Sequence, residues 1–493
     1  MDISRTSQLF VFKNNKLFGY IQDKNFYKYN EKKEAEQSNE ELKKILDLIP
    51  EGIDYEIMVR SFSLNSDVEM LYYLKNPIGA YSFSDNIDNF RNEHIISDSI
   101  ECSNLFPNVL NIKINLLNSE LHPGNNQNIA YTKSQRFSIS GVQHKLQAYI
   151  KDNELFSGYG DYILKPDSID YYDIPINEHL HTTFMREFGI EVPFNALIFD
   201  DVNQTYHYLI KRFDIIDEKN KKEQYSVNAL MGALPRDKYE GTIENICDYI
   251  NNANIAYSKD ERIKFLKYIF ANALLYNSDL HRKNINFFYE NRQFYLTPTF
   301  DILNIYAIKA NLGDGQVALP IGYKNKKISF NDFSKSIEIL ELDKNYIFNE
   351  FEKIARIYFA KYPLYLEKLY NSSVANYMKN KETFFTKALE TYNKNLFIFS
   401  KLFSDIELFN ESKFALESVK KLARKSDEVK KILDRLVGKE SNMSNITQQQ
   451  KFSIAKELGI DRNETTEIST LNKYDDGGAG TGSGFGGSRN RNR

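Results

Sequence analysis

The sequence contains no tryptophan and only two cysteines, Cys102 and Cys247, among its 493 residues. Two cysteines exclude a disulfide framework and a cysteine-based zinc site, and so sparse a use fits a reducing cytosol. The histidines do not supply a zinc centre instead: His179, His181, His207 and His281 show no i, i+4 pair with a third ligand. Long apolar runs are missing too. No uncharged apolar stretch reaches about 18 residues, and the N-terminal MDISRTSQLFVFKNNKLFGYI has no signal h-region or membrane span, so a soluble, cytoplasmic protein is expected. Nor is there a strong charge of either sign. The formal net charge is −3 and the pI near 6.3, so no global basic field advertises nucleic acid or an anionic membrane, and no direct nucleic-acid binding is expected. What is abundant is Tyr and Phe, with 33 and 35 residues, beside much Asn, Lys and Ile. That mixture reads as the codon bias of an AT-rich genome.

At this length two or three domains are the natural expectation. Residues 9 to 23, LFVFKNNKLFGYIQD, give two short strands around Asn14 and Asn15. A charged, helix-favouring segment from Glu31 runs into an apolar stripe at Leu42, Ile45, Leu46 and Leu48, ended by Pro50, Glu51 and Gly52. A second helical segment near Asp67 to Leu74 precedes NPIGAYSFS, a return strand. This first part is a small α+β unit with no catalytic constellation of its own. Residues 117–128, LNSELHPGNNQN, read as an exposed connector.

Chemistry begins with FSISGVQHKLQAYI, residues 137–150. A Ser-Ile-Ser-Gly turn leads into a strand, Lys145 to Ile150, answered by Asp161 to Lys165. Ser140, Gly141 and Gln143 could offer main-chain N–H groups and an amide to a phosphate; a plain structural hairpin reads equally well. Lys165 ends an apolar strand and is stopped by Pro166, which leaves its ammonium free to reach phosphates. The helix Ile176 to Phe188 closes at Gly189 and carries Glu178 in its first turn, where it could pair with Lys165 or simply favour the helix dipole. Leu197–Asp200 and Tyr206–Phe213 form another hairpin that runs out into an extended stretch and a loop.

The densest stretch is NSDLHRKNINFFYENRQFYLTPTFDIL, residues 277–303. Ile285–Tyr289 and Phe294–Phe300 flank a polar turn and read as an antiparallel hairpin, which brings Asn284 and Asp301 together as two oxygen ligands for a hard cation such as Mg²⁺. Asp279, five residues before Asn284, is placed to orient a nucleophile. A loop Asp, an Asn five residues on and a second Asp after a hairpin are what phosphoryl transfer requires, while a polar loop with two turn carboxylates is the plainer reading. His281 reads as a residue that braces this loop, not as a base. The amphipathic helix 261–277 delivers the chain into it. Residues 332–439 are nearly all helical in pattern, a shorter helix follows at 447–458, and the Gly/Arg-rich end reads as disordered.

Taken together, SISGVQHK, ILKPD, the INEHL helix, LIKRFD, NSDLHRKN and TFDIL, in that order and at those spacings, resemble the HipA-type serine/threonine kinases, toxins of HipBA and HipBST modules. LFVFKNNKLFGYI, LDLIPEGIDYEIM and YLKNPIGAYSFS look like the small N-terminal subdomain of single-chain HipA. The resemblance covers residues 9 to about 310. It implies an α+β, two-lobed protein-kinase-like (HipA/PI-kinase-like) fold with a small N-terminal α+β subdomain and a mainly helical C-terminal lobe. The expected division is 1–95 for that subdomain, 96–215 for the small lobe, 216–440 for the large lobe, 441–474 for a helical extension and 475–493 for the tail.

Residue by residue, the resemblance implies Asp279 as catalytic base, Asn284 and Asp301 as Mg²⁺ ligands, and Lys165 on the phosphates of ATP with Glu178 as its partner. It adds Ser140, Gly141, Gln143, Lys211 and Phe213 around the nucleotide. Ser138 matches the position commonly autophosphorylated and Ser140 offers a second hydroxyl. A phosphate there adds roughly −1.5 to −2 charge where ATP phosphates belong, so ejection of the loop and self-inhibition would follow. Family substrates include aminoacyl-tRNA synthetases, and a HipB-like helix-turn-helix antitoxin, with DNA through it, is the implied partner. Lys211 and His144 depart from the family, which often has acidic residues there, and the chain beyond residue 400 is longer than the family core. A lipid or small-molecule kinase on the same fold, and a catalytically silent co-repressor, are the alternative readings.

Overall fold

Asn14 and Asn15, at φ 49° and 61°, turn the chain between β1 (Leu9–Lys13) and β2 (Lys16–Gln22). Asn tolerates this left-handed backbone better than most residues, and paired positive φ suits the twist of a two-residue hairpin. The computed structural model describes residues 8–399 except 75, 80, 89, 91–92, 101–104, 123–142, 169–170, 254–257 and 309–314. The Ser-Ile-Ser-Gly stretch, Cys102, the helix expected at 447–458 and the Gly/Arg tail lie outside the described residues.

Two more strands follow, β3 (Asn25–Tyr29) and β4 (Ala35–Gln37), the second lying where a helical tendency from Glu31 was expected. The Asn30 side chain accepts from Lys32 N and Glu34 N, and Lys33 takes φ 63°. That local turn outweighs the propensity of the charged residues. The helix α1 (Asn39–Leu46) therefore starts only at Ser38, whose hydroxyl caps Glu41 N. Two further helices, α2 (Gly52–Phe62) and α3 (Asp67–Met70), lead to β5 (Tyr81–Ser84). The antiparallel sheet runs β4-β3-β2-β1-β5, and Ile45, Met58 and Met70 bury against Val11, Ile21 and Phe26.

The second sheet is built from β6 (Val109–Leu110), β7 (Lys113–Asn115), β8 (Leu146–Lys151), β9 (Glu154–Ser157), β10 (Tyr162–Lys165), β11 (Asn195–Asp200) and β12 (Thr205–Lys211). A single turn, α4 (Asn118–Leu121), follows β7, and α5 (Ile174–Phe184) lies between β10 and β11 in the chain. The strand order is β6-β11-β12-β10-β8-β9-β7. β8 and β10 do pair antiparallel, with Leu164 opposite Leu146. Between them the chain makes an extra hairpin through Asp152 and Asn153, at φ 52° and 61°. All eleven residues of α5 are buried, and Gly189 at φ 70° stops its 3-10 continuation Met185–Phe188.

The remaining elements are β13 (Gln224–Ser226), α6 (Val227–Leu230), α7 (Ile243–Asn252), α8 (Lys259–Leu274), β14 (Asn286–Glu290), β15 (Gln293–Leu296), α9 (Ile305–Ile308), α10 (Ser334–Ile339), α11 (Lys344–Asn371) and α12 (Lys381–Phe399). The hairpin expected after Asn284 is β14–β15, turned tightly by Asn291 and Arg292 at φ 52° and 63°. α8 is buried on more than one face. Phe270 stacks on Phe351 at 4.5 Å, and Glu261 accepts from Leu296 N at 2.8 Å, which fastens α8 to the hairpin. Cys247 is a free, buried thiol in α7 whose pKa is pushed up by burial.

The N-terminal sheet is bolted to the rest through polar groups without solvent. Lys221 Nζ donates to the carbonyls of Pro77 (2.9 Å) and Tyr81 (3.0 Å), and Gly79 N donates to Asp214, itself paired with Arg212. Buried polar networks of this kind fix one relative placement.

Candidate functional site

At the end of β10 the Lys165 ammonium lies 2.5 Å from Glu178 Oε1 and 2.5 Å from Asp301 Oδ1. Three separate pieces of chain meet here. Pro166 ends the strand at the lysine. α5 packs on β11 and β12 and so holds Glu178 behind it. Asn177 and residue 304 exchange hydrogen bonds, Asn177 Nδ2 to Asn304 O and Asn304 N to Asn177 Oδ1, both 2.9 Å, which locks the chain just past Asp301 onto the same helix. Asp301 itself takes φ 60°, a left-handed backbone uncommon outside Gly, Asn and Asp, and such positions concentrate at functional sites.

Burial opposes every charge in this cluster, and the partners decide the outcome. Burial disfavours the Lys165 ammonium, but the carboxylates of Asp301 and Glu178 outweigh it and hold the lysine above its usual range. Asp301 is kept well below the usual carboxylate range, because Lys145 and Lys165 together overcome its burial. Glu178 is fully buried, and burial pushes its carboxyl up to about 7 despite the pull of Lys165. The exposed, dipole-favoured reading of Glu178 is therefore excluded. Lys145, just before β8, was not singled out from sequence. It is buried, its Nζ is 3.8 Å from Asp301 Oδ2, and burial lowers its pKa while Asp301 partly offsets that.

The loop that carries Asp279 is shaped by its own amides. Asn277 Nδ2 donates to Asn272 Oδ1 (2.9 Å) and to Asp301 O (3.2 Å), and Asn284 Nδ2 donates to Asp279 O (3.1 Å). That last bond leaves Asn284 Oδ1 without a hydrogen bond among the described residues, and Asn284 lines the cleft. Asp279 Oδ1 accepts from Tyr239 Oη at 2.5 Å, and burial raises the Asp279 pKa. His281 braces the loop through its main chain, its N–H donating to Asp279 O at 2.8 Å. Burial pushes its imidazole down to about 3, so the ring stays neutral.

Beside these groups a cleft of about 1040 Å³, counting its open mouth, is lined by Ile163, Ile210, Phe213 and Phe300 on its apolar side and by Lys145, Lys165, Lys283 and Asn284 on its polar side. Cofactor sites commonly pair such an apolar slot with a few polar groups. Ile163 and Ile210 are cross-strand partners in β10 and β12, and the Phe213 and Phe300 rings lie 5.7 Å apart. Lys211 also lines the cleft and turns its ammonium to Asp161 at 2.9 Å. Gln143, by contrast, donates to Pro166 O at 3.4 Å and does not line the cleft. His144 is buried between Asp54 Oδ1 (2.6 Å) and Glu120 O (2.7 Å), so it ties the N-terminal helices to the start of β8.

The groups present suit a nucleoside triphosphate with a hard cation. Lys165 and Lys145 are buried cations at the polar end, the apolar slot matches a base, and Asn284 Oδ1 with the Asp301 carboxylate supplies oxygen donors of the kind Mg²⁺ takes. Sequence reasoning also missed Tyr239, Lys283 and Glu51. Lys283 Nζ lies 2.6 Å from Glu51 Oε1 of the N-terminal part, a contact between residues 232 positions apart that no local pattern signals.

Comparison with known proteins adds four findings. The model of the "HipA-like C-terminal domain" matches residues 137–358. A protein of Haemophilus influenzae named "Putative kinase" is 31% identical over 264 residues, which span 46% of this chain and 76% of that protein. "Putative kinase Y4dM" of Sinorhizobium fredii is 28% identical over 190 residues, 34% of this chain and 45% of that one. Among solved structures, a chain of the Shewanella oneidensis MR-1 toxin–antitoxin complex of HipA, HipB and operator DNA superposes with a TM-score of 0.56. It is 15% identical and the match covers 79% of this chain and 99% of that one.

Proposed function

Because the chain belongs to the HipA-type kinase family, we propose that it transfers the γ-phosphoryl group of ATP, with Mg²⁺, to serine or threonine hydroxyls of a protein. The observation that carries this reading is the buried Lys165 held between Glu178 and Asp301. A lysine fixed by a helix glutamate, beside a metal-binding aspartate, is the positioning core of kinase catalysis. In the proposed reaction Lys165 and Lys145 hold the phosphates, Asn284 and Asp301 hold Mg²⁺, and Asp279 accepts the proton of the attacking hydroxyl. Bound Mg²⁺ supplies charge neutralisation of the transferred group. Ile163, Ile210, Phe213 and Phe300 enclose the base, with main-chain groups of Lys211 and Phe213 reading its edge.

The finer reading is a HipA-like toxin whose substrate is a translation component such as an aminoacyl-tRNA synthetase, restrained by a HipB-like helix-turn-helix antitoxin. The Shewanella match supports that partner class. Autophosphorylation at Ser138 or Ser140 would switch the enzyme off, since a phosphate there competes with those of ATP.

The test is to incubate the full chain with γ-labelled ATP and a cell lysate, with and without Mg²⁺. Label entering protein as phosphoserine or phosphothreonine only when Mg²⁺ is present, and phosphate on Ser138 or Ser140 by mass spectrometry, are the expected results. Label confined to small molecules or lipid would shift the reading to those acceptors. No transfer and no calorimetric binding of MgATP would point to a silent co-repressor.

A further inference from the structure

Asp279 is not left to its own loop. The segment Asp237–Tyr239 runs alongside it as a strap. Arg282 N donates to Lys238 O at 3.1 Å, the Arg282 guanidinium donates to Asp237 O, and Tyr239 Oη donates to Asp279 Oδ1 at 2.5 Å. The Tyr239 ring packs edge-on against His281 at 5.0 Å between centroids. The strap is anchored in turn, since Lys238 pairs with Glu51. Only one of the two carboxylate oxygens of Asp279 is engaged: among the described residues Oδ2 accepts no hydrogen bond, while Oδ1 is held by the tyrosine. Tyr239 is 47% exposed, so its ring stands at the surface over which an acceptor must approach Asp279.

We propose that Tyr239 is a positioning residue for phosphoryl transfer: its hydroxyl fixes the Asp279 carboxylate through Oδ1 and thereby presents Oδ2 to the acceptor hydroxyl, while its ring forms one wall of the acceptor subsite. The inference rests on the kinase reading of Asp279. A base acts only from a defined rotamer within hydrogen-bond reach of the proton it takes, and a carboxylate with one oxygen anchored has lost the freedom to rotate away. The other groups facing Asp279 are Lys238 on the strap and Lys145 before β8, both of which favour the anion, and the neutral His281 ring.

Tyr239→Phe removes the hydroxyl and keeps the ring, and the site is open enough that the fold should be unaffected. The kcat and KM for transfer of label from γ-labelled ATP to the chain itself and to a degenerate Ser/Thr peptide library are measured, beside MgATP affinity by calorimetry. The expected result is a kcat lowered on the order of tenfold, towards the roughly hundredfold scale of a misplaced catalytic group. MgATP affinity should be unchanged. Tyr239→Ala should in addition raise KM for the peptides. A Phe variant with wild-type kcat overturns the inference and leaves the kinase reading standing. Phosphotyrosine at position 239 overturns it as well, making the residue an acceptor. A wild-type chain that transfers no label defeats both readings together.

Discussion

Replacing Asp279 by asparagine is expected to reduce phosphoryl transfer by roughly 10²- to 10⁴-fold, the range of a lost general base, while MgATP still binds. The substitution is close to isosteric. The amide oxygen can go on accepting from Tyr239, and the main-chain carbonyl of residue 279, which holds Asn284, is untouched. What disappears is the capacity to take a proton. Nucleotide affinity should survive because Lys165, Lys145 and the apolar slot lie on other elements, and Asp279 is not among the residues that line the cleft. Calorimetry of MgATP against the variant, beside single-turnover transfer of labelled phosphate, separates the two. A variant that transfers label at the wild-type rate removes Asp279 from the base role.

How much of this site could be read from the sequence differs by residue, and the difference is physical. Asp279, Asn284 and Asp301 lie within 25 residues of one another around a hairpin whose alternating aromatics and polar turn are local signals, and the hairpin formed in register. Lys165 was legible because Pro166 punctuates its strand. Glu178 could be named as a partner from helix position, but not its complete burial, which is set by tertiary packing of α5 that no local pattern signals. Tyr239 and Glu51 carried no such signal. Their roles come from a strap and a loop brought to the catalytic loop by tertiary packing alone, and a tyrosine in KYEG or a glutamate in PEG looks like any surface residue. In the fold, the strands at 25–29, 35–37 and 154–157 escaped a reading by hydrophobic period because they are too short to show one, and turn chemistry at Asn30 and at Asp152–Asn153 decided them. The helix Gly52–Phe62 escaped for a related reason: Pro50 and Gly52 look like an ending when they are the lead-in to a new start.

Lys165→Met carries the second large effect, and it is an effect on stability as much as on activity. The lysine is the counter-ion of two buried carboxylates, but they do not depend on it equally. Asp301 keeps Lys145 at 3.8 Å. Glu178 is fully buried, and its second oxygen, Oε2, has no hydrogen-bond partner among the described residues. Removing one member of a buried ion pair costs about 3–5 kcal/mol because the other charge is left uncompensated, so Glu178 is where the penalty falls. Its sign with pH follows directly. Burial already raises the Glu178 carboxyl to about 7 with the lysine present, and without the lysine it rises further. Above about pH 7 the folded variant holds a proton that folded wild type has released. The part of the deficit that comes from Glu178 is therefore small at pH 5, where both folded forms are protonated, grows as pH climbs through about 7, and levels off once the variant's own raised pKa is passed. Urea titrations at pH 5 and pH 8 measure it. The double variant Lys165→Met, Glu178→Gln removes the stranded charge as well, and should recover most of the lost stability at pH 8 while remaining unable to transfer phosphate, because the phosphates still lack their lysine. Equal denaturation midpoints for wild type and Lys165→Met at both pH values would show that Glu178 does not rely on this ion pair. Recovery of transfer in the double variant would remove Lys165 from the chemistry and leave it a purely structural counter-ion.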